Sequence, residues 1–303
     1  MLDSVIDLLA CPHCEGPLDL DAGTVLCDRG HTFDVARQGY VSLLPGSSTK
    51  FTGDTAEMIA DRAAFLDAGH YDPLRSAVGA ACARTWDTST DPGAARVLEV
   101  GAGTGQYLAR VLDDLGDARG IGLDVSKPAV RRIARSHPRV GAVLADAWGG
   151  LPVTTGAVSH VLSIFAPRNA AELHRVLVPG GALVVAAPTG DHLRELVSLP
   201  GMVRVDEHKP ERLSAALSGR FERVDRVPVH FTMALDPGAV TRLVGMGPSA
   251  FHLTPQQRAE MVAVLPHDFE VTASVTVSTW LRRDDGDDRG DATDRGDATV
   301  SGG

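Results

Sequence analysis

The middle of the chain alternates short apolar runs with amphipathic stretches. The runs have the length and composition of buried strands and lie at 97–100, 120–124, 142–145, 160–165 and 182–188. The stretches between them have helical spacing and lie at 105–115, 127–136 and 169–177. Strands that alternate with helices in this way predict a parallel sheet covered on both faces. Residues 96–283 are therefore predicted to form one Rossmann-like α/β domain.

The chain on either side of this domain has other patterns. Residues 1–45 are short apolar pieces interrupted by Cys, Gly and Pro, which is typical of a small module organised by a metal ion. Residues 46–95 are predicted to be a helical linker, with one apolar side marked by Met58, Ile59, Phe65 and Leu66. Beyond a helix after residue 200, the runs FERVDRVPVHFTMAL and EVTASVTVSTWLRR predict an antiparallel strand pair on the sheet edge.

The formal net charge of −10 at first argues against a nucleic-acid partner, because phosphate binding leaves a basic footprint. Half of that charge comes from residues 284–303, where seven Asp stand against two Arg and the hexapeptide DRGDAT occurs twice. This segment has too little apolar surface to fold and is predicted to be a disordered acidic tail. The overall charge therefore does not exclude RNA as a partner.

Neither membrane insertion nor secretion is expected. The chain is 44% hydrophobic, but it has no apolar run of the roughly 18 residues that a membrane helix needs. Its N-terminus carries Asp3 and Asp7, where a signal peptide would carry basic residues. We therefore expect a cytoplasmic protein with no membrane partner.

Three of the four cysteines lie within the first 27 residues, beside histidines. The spacing C-x2-C-x12-C-x3-H is formed by Cys11, Cys14, Cys27 and His31. Four nitrogen and sulfur ligands complete the tetrahedral shell of a structural zinc and leave no open position for catalysis. The sequence therefore predicts a structural Zn²⁺ site. His13, inside the first knuckle, is expected to point away from the metal, and Cys82 is expected to be a small core residue.

The segment VLEVGAGTGQYL joins a predicted strand to a predicted helix through Gly101, Gly103 and Gly105. Glycines let the backbone turn sharply and approach a ligand, and the following helix N-terminus favours a carboxylate. A dinucleotide site would have its third glycine where this chain has Gln106. Glu99, just before the loop, would repel a pyrophosphate but would suit the ammonium or sulfonium charge of S-adenosylmethionine.

Two further acids follow the next two predicted strands. Asp124 can accept hydrogen bonds from both ribose hydroxyls of a nucleoside, and Asp146 can meet an adenine amino group. Open parallel sheets bind their ligands at the carboxyl ends of the strands, where all these residues should gather. The predicted fold is therefore a class I, Rossmann-like S-adenosylmethionine-dependent methyltransferase with a small N-terminal zinc-binding module.

The linked motifs resemble a known family, the RlmA-type 23S rRNA (guanine-N1)-methyltransferases, and most closely its tylosin-resistance branch. The resemblance extends from residue 5 to about residue 282. It rests on the zinc tetrad followed by GHTFDVARQGYVSLL, GDTAEMIADRAAFLDAGHYDPL, the glycine loop, GLDVSKPAV, IFAPRN, RVLVPGG and HLREL. The chain departs from the family in reading GAGTGQY where many relatives have GCGEGYY, and in its acidic tail.

The resemblance implies methyl transfer from S-adenosylmethionine to N1 of a guanine in hairpin 35 of 23S rRNA. It also implies a homodimer and, for the tylosin-resistance branch, protection against macrolides. It carries the zinc site over to the four residues named above. By motif, it carries cofactor contacts over to Tyr71, Gly103, Thr104 and His192.

A hairpin base must leave its stack to reach the methyl group, so the site needs a surface that receives the ring. Phe165 in IFAPRN could stack on the base, and Arg168 or Asn169 could contact it, although Phe165 fits a core position equally well. The zinc module is expected to recognise RNA with help from Arg29, Arg37 and Lys50. A basic helix, which is also typical of a solvated face, contains Lys127, Arg131, Arg132, Arg135 and Arg139. No general base is indicated.

Two other hypotheses stay open on the sequence. A small-molecule methyltransferase of natural-product biosynthesis is disfavoured by the zinc module, which such enzymes seldom need. A non-catalytic, zinc-dependent RNA-binding protein is disfavoured by the intact glycines and by Asp124 and Asp146. The sequence does not decide which guanine is modified, or whether the role is housekeeping or antibiotic resistance.

Overall fold

A computed structural model describes residues 1–45, 53–86, 93–199, 202 and 209–284 of the chain. Lys50 and the predicted acidic tail beyond Asp284 lie outside these residues. Of the helices that the structure describes, none is both long enough and apolar enough to cross a bilayer.

The N-terminal module begins with two short 3-10 helices (Leu2–Ser4 and Ile6–Leu8). It continues into an antiparallel sheet of β1 (Leu18–Asp21), β2 (Thr24–Cys27) and β3 (Thr32–Asp34). The following strand, β4 (Tyr40–Ser42), leaves this small sheet and pairs in parallel with Val140–Leu144 of the central sheet. Main-chain hydrogen bonds therefore attach the module to the central sheet, a connection that we did not predict from the sequence.

Two helices follow, α1 (Ala56–Asp67) and α2 (Asp72–Thr85). The α1 helix begins after Thr55, whose side chain accepts a hydrogen bond from the amide of Met58 at 3.2 Å. This cap satisfies one of the amides that a helix leaves unpaired at its start. The apolar side predicted for α1 is buried, and Cys82 of α2 is fully buried, as expected for a small core residue.

The predicted alternation of strands and helices in the middle of the chain is confirmed. Its elements are β5 (Arg96–Val100), α3 (Gln106–Asp114), β6 (Arg119–Asp124), α4 (Lys127–Ile133), β7 (Val140–Leu144), β8 (Val158–Ile164), α5 (Ala170–Val176) and β9 (Leu177–Pro188). All five strands run parallel, and nearly every residue of β7 and β8 is buried because helices cover both faces.

The C-terminal part adds two strands to this sheet and a group of helices beside it. Its elements are α6 (Arg194–Val197), α7 (Lys209–Ser218), β10 (Phe221–Leu235), α8 (Pro237–Gly245), a 3-10 helix (Pro248–Phe251), α9 (Pro255–Ala263) and β11 (Phe269–Arg282). The strands β10 and β11 pair antiparallel on the edge, as predicted, in the order β10-β11-β9-β8-β5-β6-β7-β4. The helices between them were not predicted; α8 packs against α1, and Arg258 of α9 forms an ion pair with Glu57 of α1.

The N-terminal module packs tightly on β7 at Gly141. A Cβ atom at this position would overlap Cγ2 of Val5 in the first segment of the module. We expect Gly141→Ala to lower the free energy of unfolding by about 1–3 kcal/mol, because a closely packed core accommodates an added methyl group only by moving its neighbours. Urea denaturation of the zinc-loaded protein measures this change.

Gly190→Ala is the matched control, since no atom lies within 4 Å of a Cβ built there. Its stability should stay equal to that of the wild type or rise slightly. Equal stability of Gly141→Ala and the wild type would mean that the contact between the module and β7 is loose.

Candidate cofactor site and metal centre

The four predicted zinc ligands converge on one point. Cys11 and Cys14 come from the knuckle before β1, Cys27 ends β2, and His31 follows the next turn. Their ligand atoms all lie within 4.8 Å of one another, with Sγ of Cys14 and Cys27 separated by 3.7 Å. A tetrahedron with bonds of about 2.3 Å to zinc has edges of roughly this length. The donor set and its geometry therefore fit a structural zinc ion.

His13, beside the cluster, is placed as the sequence predicted. His13 lies outside the four-residue cluster and stacks on Phe33, with ring centroids 5.9 Å apart. The pKa of Cys27 is affected first by burial, which raises it, but hydrogen bonds from the backbone of His31 and Arg29 bring it down to about 6. A cysteine that ionises so readily is a good metal ligand.

The turn between β5 and α3 has the backbone geometry for which its glycines are needed. Gly101, Gly103 and Gly105 have φ angles of 64°, 56° and 75°, a region that other residues rarely adopt. A Cβ atom on Gly101 would lie 2.8 Å from Cβ of Ala166, so the turn also packs too closely for a side chain. The neighbouring Thr104 is buried at the same turn.

The three predicted acids gather at the carboxyl ends of β5, β6 and β7. Together with Gly101, Gly103 and Thr104 they line a cavity of about 880 Å³, a size typical of small-molecule sites, whereas Gly105 lies outside the lining and faces Ser136. The cavity lies where the chain order of the sheet reverses, between β5 and β8. Open α/β sheets bind ligands at this position.

Backbone amides hold each of these carboxyl groups. Glu99 accepts from the amide of Leu108 at 3.1 Å, and Asp146 accepts from the amide of Trp148 at 2.9 Å. Asp124 accepts from the amides of Gly103 and Ser126 at 2.9 and 2.8 Å. Burial raises the pKa of Asp124, and it raises the pKa of Glu99 to about 8. A buried acid of this kind is stabilised in its ionised form by a cationic ligand.

Tyr71 and His192 also line the cavity, with the Tyr71 hydroxyl 3.5 Å from Nε2 of His192. Burial lowers the pKa of His192 to about 4, so its ring is neutral at pH 7. Its Nδ1 accepts a hydrogen bond from the amide of Ser274 at 3.2 Å, so the proton is on Nε2, facing Tyr71. The Tyr71 hydroxyl therefore accepts from His192, and its own hydrogen is available to a ligand.

Phe165 lies at the mouth of this cavity. Its side chain is 39% exposed, and its ring is stacked against His192 at a centroid distance of 5.8 Å. Its φ angle of 54° is unfavourable for a residue with a side chain, and such strain is concentrated at functional positions. Of the two positions that the sequence allowed for Phe165, the cavity mouth is therefore the observed one.

Of the other residues of IFAPRN, Ile164 and Pro167 also line the cavity, whereas Arg168 and Asn169 do not. The side chain of Asn169 accepts from the amide of Glu172 at 3.4 Å and caps α5, which gives this residue a structural role. In the described part of the chain, Nε and Nη2 of Arg168 are buried without a hydrogen-bond partner.

The predicted basic residues divide into two groups. Arg132 pairs with Asp67 at 3.1 Å, and Arg139 binds main-chain carbonyl groups such as that of Ala118 at 2.7 Å, so both have structural partners. The remaining basic side chains are exposed to solvent: Arg29, Arg37, Lys127, Arg131 and Arg135.

Part of the cavity wall was not predicted from the sequence. One side is formed by the end of α8 and the 3-10 helix, including Met246 and Phe251, and by Asp54 and Arg62 at α1. Asp54 and Arg62 occur in the motif that carries the family resemblance, but a motif does not reveal that α8 packs beside them.

The cavity fits S-adenosylmethionine in charge and in polarity. Acids at three strand ends suit a ligand that carries positive charge and ribose hydroxyls. Among the described residues, the buried hydroxyl of Tyr107, which faces the same cavity, has no hydrogen-bond partner within the protein. A polar ligand would provide one.

Comparison with known proteins also identifies a zinc ribbon and a methyltransferase domain. Residues 9–50 match the family model described as "RlmA, N-terminal", and residues 97–181 match that of a methyltransferase domain. A 23S rRNA (guanine(748)-N(1))-methyltransferase of Streptomyces fradiae is 48% identical over 276 residues, covering 91% of this chain and 97% of its own. A Micromonospora griseorubida protein named for the same type of reaction is 45% identical, covering 90% of this chain and 96% of its own.

A solved structure is also similar at lower identity. The S-adenosylmethionine-dependent methyltransferase of Thiobacillus denitrificans, in complex with S-adenosyl-L-homocysteine, is 18% identical, with a TM-score of 0.45. The match covers 69% of this chain and 90% of that protein.

The raised pKa of Glu99 leads to a pH-dependent binding prediction. In the free protein most Glu99 side chains are protonated at pH 7, and a cationic ligand shifts them to the carboxylate. The affinity for S-adenosylmethionine should therefore increase from pH 6 to about pH 8, by roughly tenfold at most per pH unit, and then level off. Calorimetry in buffers of different ionisation enthalpy should detect proton release from the protein at pH 7.

Glu99→Gln keeps the shape of the side chain and cannot ionise, so it serves as the control. It should bind more weakly at pH 8 and lose the part of the pH dependence due to this residue. A wild-type pH profile that Glu99→Gln reproduces unchanged would contradict the assignment.

Proposed function

The chain belongs to the 23S rRNA (guanine-N1)-methyltransferase family, and from this premise we propose that it methylates N1 of a guanine in hairpin 35 of 23S rRNA. The observation that carries the proposal is the match to the Streptomyces fradiae enzyme over 97% of that enzyme's length. The match covers both the zinc ribbon and the methyltransferase domain. It therefore supports a shared RNA substrate as well as a shared cofactor. By this proposal the modification protects the ribosome against tylosin-type macrolides.

S-adenosylmethionine supplies an electrophilic methyl group on its sulfonium sulfur when it is bound. We propose that Asp124 binds the ribose hydroxyls and that Asp146 accepts from the adenine amino group. Glu99 faces the positive charge at the methionine end. In this proposal Gly101, Gly103 and Thr104 contact the cofactor, and Gly105, which the sequence also assigned to the cofactor, acts through the shape of the turn.

Tyr71 and His192 act as a unit in this proposal. His192 is neutral and donates to the Tyr71 oxygen, which leaves the Tyr71 hydrogen directed to the cofactor or to the base. Burial raises the pKa of Tyr71 well above its usual value, so the hydroxyl acts as a donor and not as a base near neutral pH.

The target guanine must be extruded from its hairpin to reach the cavity. We propose that it stacks on Phe165, which combines an exposed ring, a strained backbone and a position at the cavity mouth. Pro167 lies on the same wall and limits how far the loop can move. Phe165 therefore offers a fixed apolar surface for the base.

The rest of the hairpin is proposed to bind across the zinc module and α4. Exposed basic side chains, which can contact phosphates, support this: Arg29, Arg37, Lys127, Arg131 and Arg135. We further propose that two subunits associate to form one RNA-binding cleft, as the family resemblance implies, and that the enzyme acts in the cytoplasm.

The direct test is to incubate the zinc-loaded protein with labelled S-adenosylmethionine and unmodified 23S rRNA and to map the methylated nucleotide. We expect about one methyl group per rRNA, at N1 of a guanine in hairpin 35. A transcript in which the guanines of hairpin 35 are replaced by adenines should receive none. Incorporation elsewhere in the rRNA, or into a small molecule only, would contradict the proposal.

Phe165→Ala tests the stacking surface separately. Stacking of a base on an aromatic ring contributes about 1–3 kcal/mol, so kcat/KM for the rRNA should fall roughly 10- to 100-fold. The Kd for S-adenosylhomocysteine should change by less than about threefold. Phe165→Tyr retains the ring and should retain most of the activity. An active Phe165→Ala variant would remove Phe165 from the proposed site.

A further inference from the structure

Arg62 and Asp54 form an ion pair on the cavity wall that faces the glycine turn. Nη1 of Arg62 lies 2.6 Å from Oδ2 of Asp54, and each side chain is about one quarter exposed (26% and 25%). Both residues line the cavity. The pair is thus neither a solvated surface contact nor fully enclosed, and a ligand in the cavity can reach it.

The position of the guanidinium is fixed from two sides. A Cβ atom on Gly103 would lie 2.9 Å from Nη1 of Arg62, so the guanidinium is packed directly against the glycine turn. Its other amino group, Nη2, donates to the main-chain oxygen of Met246 at 2.8 Å. This bond ties Arg62 to the end of α8, which forms the adjoining wall. Gly103 is therefore needed both for its φ angle and for the room that Arg62 occupies.

Most of the charged residues that line the cavity are acidic, and the Arg62–Asp54 pair adds a basic group to them. Glu99, Asp124 and Asp146 are all acidic and suit the positive charge and the hydroxyl groups of the ligand. S-adenosylmethionine also carries one carboxylate, which these acids would repel. Among the described lining residues the basic ones are Arg62 and Arg212, and Arg62 is the one packed on the glycine turn.

We propose that Arg62 and Asp54 bind the amino-acid end of S-adenosylmethionine. Arg62 binds the carboxylate, and Asp54 accepts from the ammonium group. An α-amino acid presents these two opposite charges side by side, and the ion pair presents the complementary two. A guanidinium offers several donors in a fixed plane, so it can hold Met246 and a carboxylate at once. The inference rests on S-adenosylmethionine being the cofactor.

The test compares two ligands that differ at this end. S-adenosylhomocysteine has the amino-acid group, whereas 5′-methylthioadenosine has the same nucleoside and sulfur without it. We expect Arg62→Met, which keeps the length of the side chain, to weaken S-adenosylhomocysteine binding roughly 10- to 100-fold in calorimetry. Binding of 5′-methylthioadenosine should change by less than about threefold, which also shows that the variant retains the nucleoside pocket.

Arg132→Met is the matched control, because Arg132 also pairs with an aspartate but lies outside the cavity lining. It should leave both affinities unchanged. Asp54→Asn should weaken S-adenosylhomocysteine selectively, by a smaller factor, and it replaces Arg62→Met if that variant does not fold.

Three results would overturn the inference. If Arg62→Met and Asp54→Asn weaken both ligands equally, the pair has a structural role only. If neither ligand is affected, the amino-acid end binds elsewhere. If the wild type binds neither ligand, the cofactor assignment itself fails. If the variants lose S-adenosylhomocysteine binding selectively but the wild type does not methylate rRNA, the inference stands and the proposed substrate is contradicted.

Discussion

The hydrogen bonds of Asp124 are the interaction on which the rest of the site depends. Its two carboxylate oxygens accept from Gly103 in one loop and from Ser126 in the next, so a single buried side chain fixes both loops at the carboxyl ends of β5 and β6. The parallel register, in which Val100 pairs with Leu123, brings these ends level. An acid buried in this way is costly without such donors. With them, it is a rigid acceptor that a nucleoside can use.

The zinc module follows another physical principle. Its short strands bury little apolar surface, and four metal ligands take the place of a core of its own. The module is then attached to the enzyme through β4, which extends the central sheet beside β7, and through Val5, which packs on Gly141. A module held in this way keeps a constant position relative to the cofactor cavity. This is what a protein needs if it is to bind a hairpin at one place and modify it at another.

The sequence predicted those features that depend on local pattern. The strand and helix order, the glycine turn, the acids at the strand ends and the zinc tetrad all follow from spacing within short segments. It did not predict β4 in the central sheet or the helices between β10 and β11, because these depend on contacts between distant segments. Arg62 was missed for the same reason, since its partners Asp54 and Met246 meet only in the fold. Asn169, one of two residues that the sequence allowed to contact the base, caps α5 with its side chain.

The most direct test of the account is a crystal structure of the zinc-loaded protein with S-adenosylhomocysteine. We predict that the nucleoside lies across the ends of β5, β6 and β7, with its ribose hydroxyls within hydrogen-bond distance of Asp124 and its adenine beside Asp146. A ligand bound away from these strand ends, or one whose ribose makes no contact with Asp124, would contradict the account.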